Sequence, residues 1–160
     1  IQVSDWVGVN VPVTPLKGQI LRLRSTGLPY HCSVNWNGNY AVTKPDGLVW
    51  AGTTEERADF NETPTVEARD RIMETLIKMI PSLEDSELLL QTACLRPLSS
   101  DKLPVVGSID NWEGVYLATG GGRQGILLGP AMGYVAANLV AKGRSPIPID
   151  GLDVGRFYRP

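Results

Sequence analysis

Apolar and polar residues alternate in short segments along the first third of the chain, which is typical of half-buried β-strands. Turn residues separate these segments. Asn37-Gly38 is a strong hairpin signal, because both residues tolerate a positive φ, and Pro45-Asp46-Gly47 marks a second turn. The pattern predicts an antiparallel meander with strands at 17–24, 30–36, 40–43 and 48–54.

A helical period follows the meander. Thr63 precedes Pro64 as an N-cap precedes a first-turn proline, and Pro81 ends the segment. The segment between them carries an apolar stripe that we interpret as core: Ile72, Met73, Leu76, Ile77 and Ile80.

A second helix is predicted from about Gly125 to Ala141, closing at Gly143. Because proline is tolerated only in the first turn, we expect its regular part to begin near Pro130. Small residues give it a face for close packing.

The remaining segments complete an α+β prediction, with a mostly antiparallel sheet flanked by two helices. Residues 1–16 are broken by Pro12 and Pro15 and are predicted to be irregular. Further strands are expected at 87–95 and 115–119, before a Pro/Gly-rich tail at 144–160.

Composition and charge argue against some classes of function. The chain has 160 residues, 42% of them hydrophobic, and a formal charge of −2. That balance argues against nucleic acid as a partner, because phosphate binding requires clustered positive charge. No apolar run approaches the ~20 residues of a membrane span, so we expect none.

The first residue is Ile1, with neither an initiator Met nor a secretion signal, so we expect either processing or a piece of a longer protein. Cys32 and Cys94 could pair or stay reduced. A metal or catalytic pair of His31 with Cys32 is less favoured than two ordinary strand residues, and no metal site is expected.

The segment Gly120-Gly121-Gly122-Arg123-Gln124-Gly125 fits the pattern G-x-G-x-x-G between a strand and a helix. An independent Rossmann unit is disfavoured, because the next acidic candidate, Asp150, lies in the tail. Two interpretations stay open. The helix N-terminus contacts an electron-rich cofactor edge, or the glycines only let helix and strand pack closely.

Arg96 ends an apolar strand, and Pro97 fixes the exit of the chain. Its planar guanidinium could hold a small carboxylate through two parallel N–H···O bonds. Alternatively, loop carbonyls or Asp101 satisfy it.

Four ordered motifs carry a family resemblance: PLKGQIL at 15–21, GLVWAGTTE at 47–55, LRPLSSDKLPVVG at 95–107 and VYLATGGGRQGILLGP at 115–130. Over about residues 11–143 they resemble the C-terminal half of the D-amino acid oxidase-like FAD-dependent oxidoreductases, especially the glycine oxidase branch.

The resemblance implies FAD as cofactor and a missing N-terminal FAD domain, since the family's dinucleotide fingerprint lies near the start of a chain more than twice as long. It divides the chain into a lead-in at 1–16, a substrate-binding domain at 17–110, a strand-loop-helix contacting the flavin at 111–143, and a tail at 144–160.

The resemblance also implies the site. Arg96 pairs with the substrate carboxylate, Tyr40 adds a hydroxyl to it, and Arg123 borders the site. Backbone N–H groups face the flavin's pyrimidine end, where negative charge accumulates on reduction. The implied cofactor-binding residues are Gly120, Gly121, Gly122, Arg123, Gln124, Gly125, Ile126 and Leu127.

The implied reaction transfers a hydride from the amine-bearing carbon of a small amino acid or amine to the flavin, followed by imine hydrolysis and reoxidation by oxygen. No catalytic side chain is required. Three departures leave the substrate open: Cys94 replaces a glycine, Thr43-Lys44 replaces Pro-Arg, and Glu55 replaces a methionine.

We expect the isolated chain to be inactive and a cytoplasmic location for the protein. The alternatives are a non-enzymatic domain that binds small carboxylates, or a domain that associates with itself as a homo-oligomer.

Overall fold

A computed structural model describes residues 2–25 and 33–158. Its contacts divide the chain into two compact units, one of residues 17–95 and one of residues 1–16 with 96–160. The functional division into four segments stays a prediction. Strands β1 (Val13–Arg24) and β5 (Glu87–Ser99) each contribute residues to both units.

A five-stranded sheet dominates the 17–95 unit. Besides β1 and β5 it contains β2 (Val34–Trp36), β3 (Asn39–Thr43) and β4 (Val49–Gly52), in the order β2-β3-β4-β1-β5. β4 pairs antiparallel with both β3 and β1, and β2 pairs antiparallel with β3. With helices packed on such sheets, the predicted α+β class is confirmed.

One helix, α2 (Val66–Met79), covers one face of this sheet. The alternation of the strands sends every second residue toward it, as a half-buried sheet requires. The buried core comprises Leu21, Leu23, Ala41, Val49 and Ala51 from the strands with Ile72, Leu76, Ile80 and Leu83. The predicted core stripe is therefore confirmed at Ile72, Leu76 and Ile80, and Met73 packs partly buried against them.

The predicted turns are present. Asn37 and Gly38 adopt φ of 48° and 74° between β2 and β3. At the second turn Gly47 has φ 79°, and the Leu48 amide donates to Asp46 Oδ1 at 3.0 Å. Local chemistry thus determines the β2–β3 and β3–β4 connections, whereas the first predicted strand of the meander, β1, lies next to β4 and not next to β2.

The start of α2 requires a correction, because its N-cap is Thr65 rather than Thr63. The Thr65 hydroxyl accepts from the Ala68 amide at 3.3 Å, and the Thr65 amide donates to Gln19 Oε1 at 2.9 Å. The Thr63 carbonyl instead accepts from Lys17 Nζ at 2.6 Å. Contacts with β1 therefore move the cap two residues.

The second unit contains α1 (Gln2–Val7), the antiparallel hairpin of β6 (Val105–Ile109) and β7 (Trp112–Thr119), and α3 (Gly125–Lys142). A short 3-10 turn, Val154–Phe157, closes it. Its core is Val11, Val105 and Val154, with Val3, Val7, Val13, Leu117 and Phe157 packed around them.

Two of these elements, α1 and β6, were not predicted from the sequence. The N-terminal segment was expected to be irregular but contains α1, where the Trp112 indole donates to the Val7 carbonyl at 2.7 Å. β6 was not predicted, because Gly107 interrupts its apolar run. That glycine allows a close approach, since a Cβ there would lie 3.2 Å from Asp153 Cβ.

The expectation that α3 becomes regular only near Pro130 is wrong, because the helix already begins at Gly125 and contains Pro130. Proline removes the bond to the carbonyl four residues earlier, that of Ile126. Ile126 is 95% exposed, so its carbonyl lies where water is accessible.

By length and composition alone, the helical stretch Gly122–Lys142 would suffice to cross a membrane, a test that core helices of soluble proteins also pass. No such stretch was expected from the sequence. Only Val135 and Asn138 of α3 are buried.

Of the two cysteines, Cys94 lies within the described residues. Cys94 is exposed and carries a free thiol. His31 and Cys32, together with the first part of the strand predicted at 30–36, lie outside the described residues.

Candidate functional site

The end of β5 and the glycine-rich loop lie against each other. Leu98 and Gly121 form an isolated antiparallel bridge, and the Ser99 amide donates to the Gly120 carbonyl at 3.4 Å. The Ser99 hydroxyl donates to the Leu103 carbonyl at 2.6 Å. Two motifs that are more than 20 positions apart in sequence therefore form one structure in the same unit.

The glycines of the loop allow this close packing. Gly120 and Gly122 have φ of +80° and +50°, a region that favours glycine. A Cβ at Gly122 would lie 2.7 Å from Leu98 Cδ1, and one at Gly120 would lie 3.1 Å from Ser99 Cβ. The packing interpretation therefore accounts for these two positions.

The helix that follows has an open N-terminus. The 3-10 turn Gly122–Gln124 leads into α3, and Gln124 makes no side-chain hydrogen bond as a cap. The Gln124 and Gly125 N–H groups donate to the Gly121 and Gly122 carbonyls within this turn. The positive end of the helix dipole attracts electron-rich groups. Ile126 and Leu127, 95% and 80% exposed, place apolar surface beside those donors.

Arg96 and Arg123 lie on the two segments that the bridge joins. Arg96 is half-buried in β5, two residues before Leu98 and therefore on the same face of the strand. Arg123 is exposed in the 3-10 turn. Each of the two makes at least one interaction within the structure. The bridge accounts for how sequence-distant arginines share one unit.

Tyr40 lies in the 17–95 unit, half-buried in β3 and paired with Gly52 of β4. It is on the sheet face opposite α2, because its neighbour Ala41 faces the core. Its predicted contact with the same carboxylate as Arg96 stays a prediction, as do the roles of Arg96, Arg123 and residues 120–127.

Sequence reasoning missed a cluster next to Tyr40 on the same face, Arg22, Trp50 and Lys44. Arg22 pairs in register with Trp50, and its guanidinium carbon lies 4.4 Å from the centre of the Trp50 ring. Lys44 Nζ lies 5.2 Å from that centre. In the sequence, Arg22 is visible only as one of the alternating polar positions of the 17–24 strand. The strand register is what places it beside Trp50.

A polar network was also missed. Gln19 is fully buried and donates to Glu56 Oε1 at 2.9 Å, while the Gln91 amide donates to Gln19 Oε1 at 2.9 Å. Burial alone would raise the pKa of Glu56, but hydrogen bonds from Thr54 and Gln19 and the charge of Lys17 lower it overall. The network anchors the start of α2, so its role is structural.

The second unit also contains an apolar pocket of about 110 Å³ between α3, β6 and the C-terminal tail. Its lining includes Val106, Met132, Val135, Ile149 and Leu152. None of the sequence-predicted site residues lines it, so this pocket is not the site that the resemblance implied.

A family model of FAD dependent oxidoreductases, the DAO family, matches residues 2–139. The chain belongs to this family. The resemblance stated from the sequence is thereby confirmed, and so is FAD as the cofactor of the family.

The chain is 33% identical over 141 residues to a glycine oxidase of Pseudomonas aeruginosa. This match covers 88% of the chain and 38% of that protein. Among solved structures, glycine oxidase from Geobacillus kaustophilus superposes with a TM-score of 0.88 at 25% identity, covering 96% of this chain and 42% of that one. Iminodiacetate oxidase from Chelativorans sp. BNC1 gives the same TM-score and identity, with coverages of 95% and 42%.

The residues at the bridge fit a flavin. The positive end of the α3 dipole suits an electron-rich ring edge, and Ile126 and Leu127 offer apolar contact to a ring. Space is available as well, because a Cβ at Gly125 would meet nothing within 4 Å. The first half of the loop therefore serves packing, and contact of its second half with the cofactor stays a prediction.

Proposed function

We propose that this chain supplies the substrate-binding part, and one flavin-contacting edge, of an oxidoreductase that acts on the CH–NH group of a small amino acid or amine. In this proposal Arg96 binds the substrate carboxylate, Tyr40 donates a hydrogen bond to it, and Arg123 borders the site. The N–H groups of residues 122–127 bind the electron-rich edge of FAD.

The observation that carries the proposal is the bridge between Leu98 and Gly121. It joins the strand that carries Arg96 to the loop that opens α3. A cation suited to a carboxylate and a helix end suited to a flavin edge are thus parts of one packed structure. Oxidation at the carbon between a carboxylate and an amine requires the cation that binds the carboxylate to lie close to the flavin edge.

The chemistry of the chain's own residues is binding and orientation. A guanidinium can hold a carboxylate through two parallel hydrogen bonds, which fixes the direction of the substrate as well as its position. FAD, when bound, supplies the redox chemistry by accepting a hydride equivalent from the substrate. The N–H groups at the end of α3 stabilise negative charge at their side of the site.

The names of the relatives indicate the substrate class. The similar proteins include glycine oxidases and an iminodiacetate oxidase, so we propose a small amino or imino acid. We further propose a cytoplasmic protein, and little activity for these 160 residues alone, because the open α3 terminus provides only one edge of a flavin site.

A second candidate is self-association without catalysis. The observation that favours it is the exposure of apolar side chains along α3, including Ile126, Leu127 and Val140. This candidate predicts oligomers whose formation does not depend on Arg96.

The first candidate is tested by measuring amino-acid binding to the 160-residue chain in an NMR titration with glycine. Arg96→Met is expected to weaken binding about 10- to 100-fold, the loss typical of a charged hydrogen bond. Arg144→Met removes an equal charge from the exposed C-terminal tail and is expected to have no effect. Equal affinities for wild type and Arg96→Met would contradict the assigned role.

A further inference from the structure

Arg22, Trp50 and Lys44 form a basic and aromatic cluster on the face of the five-stranded sheet opposite α2. The cluster lies entirely within the 17–95 unit. Arg22 stacks on the Trp50 ring at 4.4 Å, and Lys44 approaches the same ring at 5.2 Å. Two positive charges therefore share one aromatic side chain.

Two buried hydrogen-bond donors of this cluster lack an acceptor in the described part of the chain. Arg22 Nε and Trp50 Nε1 are both buried, and neither has a hydrogen-bond partner within the described part of the chain. Buried polar atoms in folded proteins are nearly always paired. Both atoms can only donate, so the group that would complete the cluster is an acceptor.

The charges of the cluster also have no counter-ion among the residues that the structure describes. Among residues 2–25 and 33–158, neither Arg22 nor Lys44 takes part in an ion pair. Arg24, two residues further on the same strand, differs, since its guanidinium donates to Glu87 Oε2 at 2.6 Å. An acceptor that carries negative charge would satisfy both the donors and the net charge.

The cluster lies beside Tyr40. Val42 is paired with Trp50, so Tyr40 is the diagonal neighbour of Trp50 on the same sheet face. In a regular sheet such diagonal positions are roughly 7–8 Å apart. A small ligand held by Tyr40 could therefore present a second group to Arg22 and Trp50.

We propose that Arg22, Trp50 and Lys44 form a carboxylate-binding site that selects substrates with a second carboxylate, that is, short amino or imino dicarboxylic acids. The inference rests on the proposed function only in placing the first carboxylate of the ligand at Tyr40. The guanidinium and the indole N–H of this site donate to the second carboxylate, while Lys44 adds charge from the edge of the cluster.

The test is an NMR titration of the 160-residue chain that follows the indole N–H signals of its four tryptophans. Trp50→Phe assigns the Trp50 signal. The probes are iminodiacetate, glycine, acetate and inorganic phosphate at constant ionic strength. Only iminodiacetate is expected to shift the Trp50 signal saturably.

Matched charge variants identify the residues responsible. Arg22→Gln is expected to weaken iminodiacetate binding about 10- to 100-fold, as loss of a charged hydrogen bond does. Arg24→Gln removes the same charge from the same strand and is expected to leave binding unchanged. Lys44→Gln, at the end of the hairpin, tests the site if Arg22→Gln fails to fold, and is expected to weaken binding several-fold.

The proposal is overturned if iminodiacetate produces no saturable shift, if acetate or phosphate binds as tightly, or if Arg24→Gln weakens binding as much as Arg22→Gln. A lower melting temperature of Arg22→Gln with unchanged iminodiacetate affinity would reduce the cluster to a structural contact.

Glycine binding by Arg96→Met separates this inference from the proposed function. If Arg96→Met weakens glycine binding while Arg22→Gln leaves iminodiacetate binding unchanged, the inference fails and the proposed function remains. If Arg22→Gln weakens iminodiacetate binding while Arg96→Met leaves glycine binding unchanged, the proposed function fails and the carboxylate site remains.

Discussion

Asp101 follows the strand that carries Arg96, and its carboxylate accepts hydrogen bonds from a distant arginine. Arg156 Nε donates to Asp101 Oδ2 at 2.7 Å, and the other end of the guanidinium donates to Oδ1 at 3.1 Å. Arg156 also donates to the Leu103 carbonyl at 3.0 Å. The pair therefore ties the C-terminal tail to the loop between β5 and β6.

This pair predicts a stability that depends on pH. The hydrogen bond from Arg156 lowers the pKa of Asp101 from 3.8 to about 2. Because the folded pKa is below the unfolded one, the pair stabilises the fold above about pH 4, and this contribution is lost as the pH falls toward 2. We expect about 1 kcal/mol near neutral pH, less than the pKa difference alone gives, because the Asp101 side chain is 34% exposed.

Urea unfolding of wild type and Asp101→Asn at several pH values measures this contribution. The difference in the free energy of unfolding should be fully present near neutral pH and fall to a small fraction of that value near pH 2. Asp110→Asn, at an exposed position, should cost little at any pH. A difference that stays constant with pH would contradict the assignment.

Gly122 and Gly125 offer a second residue-scale prediction. Gly122→Ala must place a Cβ 2.7 Å from Leu98 Cδ1 on a residue with positive φ, so we expect a loss of about 1–3 kcal/mol in stability. Gly125→Ala places its Cβ in open space at φ −54° and should be neutral or stabilise by up to about 1 kcal/mol. Thermal unfolding of both variants measures these two changes in stability. Equal effects would mean that the packing against Leu98 is not needed.

At the scale of elements, the cap of α2 predicts different costs for two nearby threonines. Thr65→Ala removes the hydroxyl that accepts from the Ala68 amide and should destabilise the fold by about 1–2 kcal/mol. Thr63→Ala retains the carbonyl that binds Lys17 and should cost less than about 0.5 kcal/mol. Denaturant unfolding of the two variants compares them directly, and a larger cost at Thr63 would restore the cap predicted from sequence.

Element by element, sequence predicts what local chemistry decides. The Asn37-Gly38 hairpin, the turn before β4 and the apolar stripe of α2 follow from residues within a few positions of each other, and all are confirmed. The cap at Thr65, helix α1 and strand β6 were missed. Each depends on partners far along the chain: Gln19 for the cap, Trp112 for α1 and Asp153 beside Gly107 in β6.

The candidate site divides in the same way. Motifs identify Arg96 and the glycine loop, since an arginine at a strand end and a glycine run before a helix are visible locally. The bridge that joins them, and the stacking of Arg22 on Trp50, depend on strand register. Residues on the polar phase of a strand therefore needed the structure before any role could be assigned to them.

At the scale of the whole molecule, the two most exposed large apolar residues in the described part of the chain lie at the start of α3, and two further exposed ones lie along it. Ile126, Leu127, Tyr134 and Val140 are 95%, 80%, 56% and 65% exposed. Contiguous exposed apolar surface marks places where proteins bind one another or bind lipid. The chain spans 38% of the length of the glycine oxidase that it matches. We therefore consider this surface only for the 160-residue chain by itself in solution.

We predict that the purified 160-residue chain associates with itself through the start of α3. Burying a leucine or isoleucine contributes about 1.5–3 kcal/mol, so the double variant Ile126→Gln, Leu127→Gln should weaken association by at least tenfold. Sedimentation velocity over a range of concentrations measures the effect. Val66→Gln removes another exposed apolar residue, one on α2 that is 55% exposed, and should leave association unchanged. Wild-type chain that stays monomeric at every concentration, or a double variant that associates as strongly, would contradict the prediction. Vesicle binding that only the double variant loses would instead assign this surface to lipid.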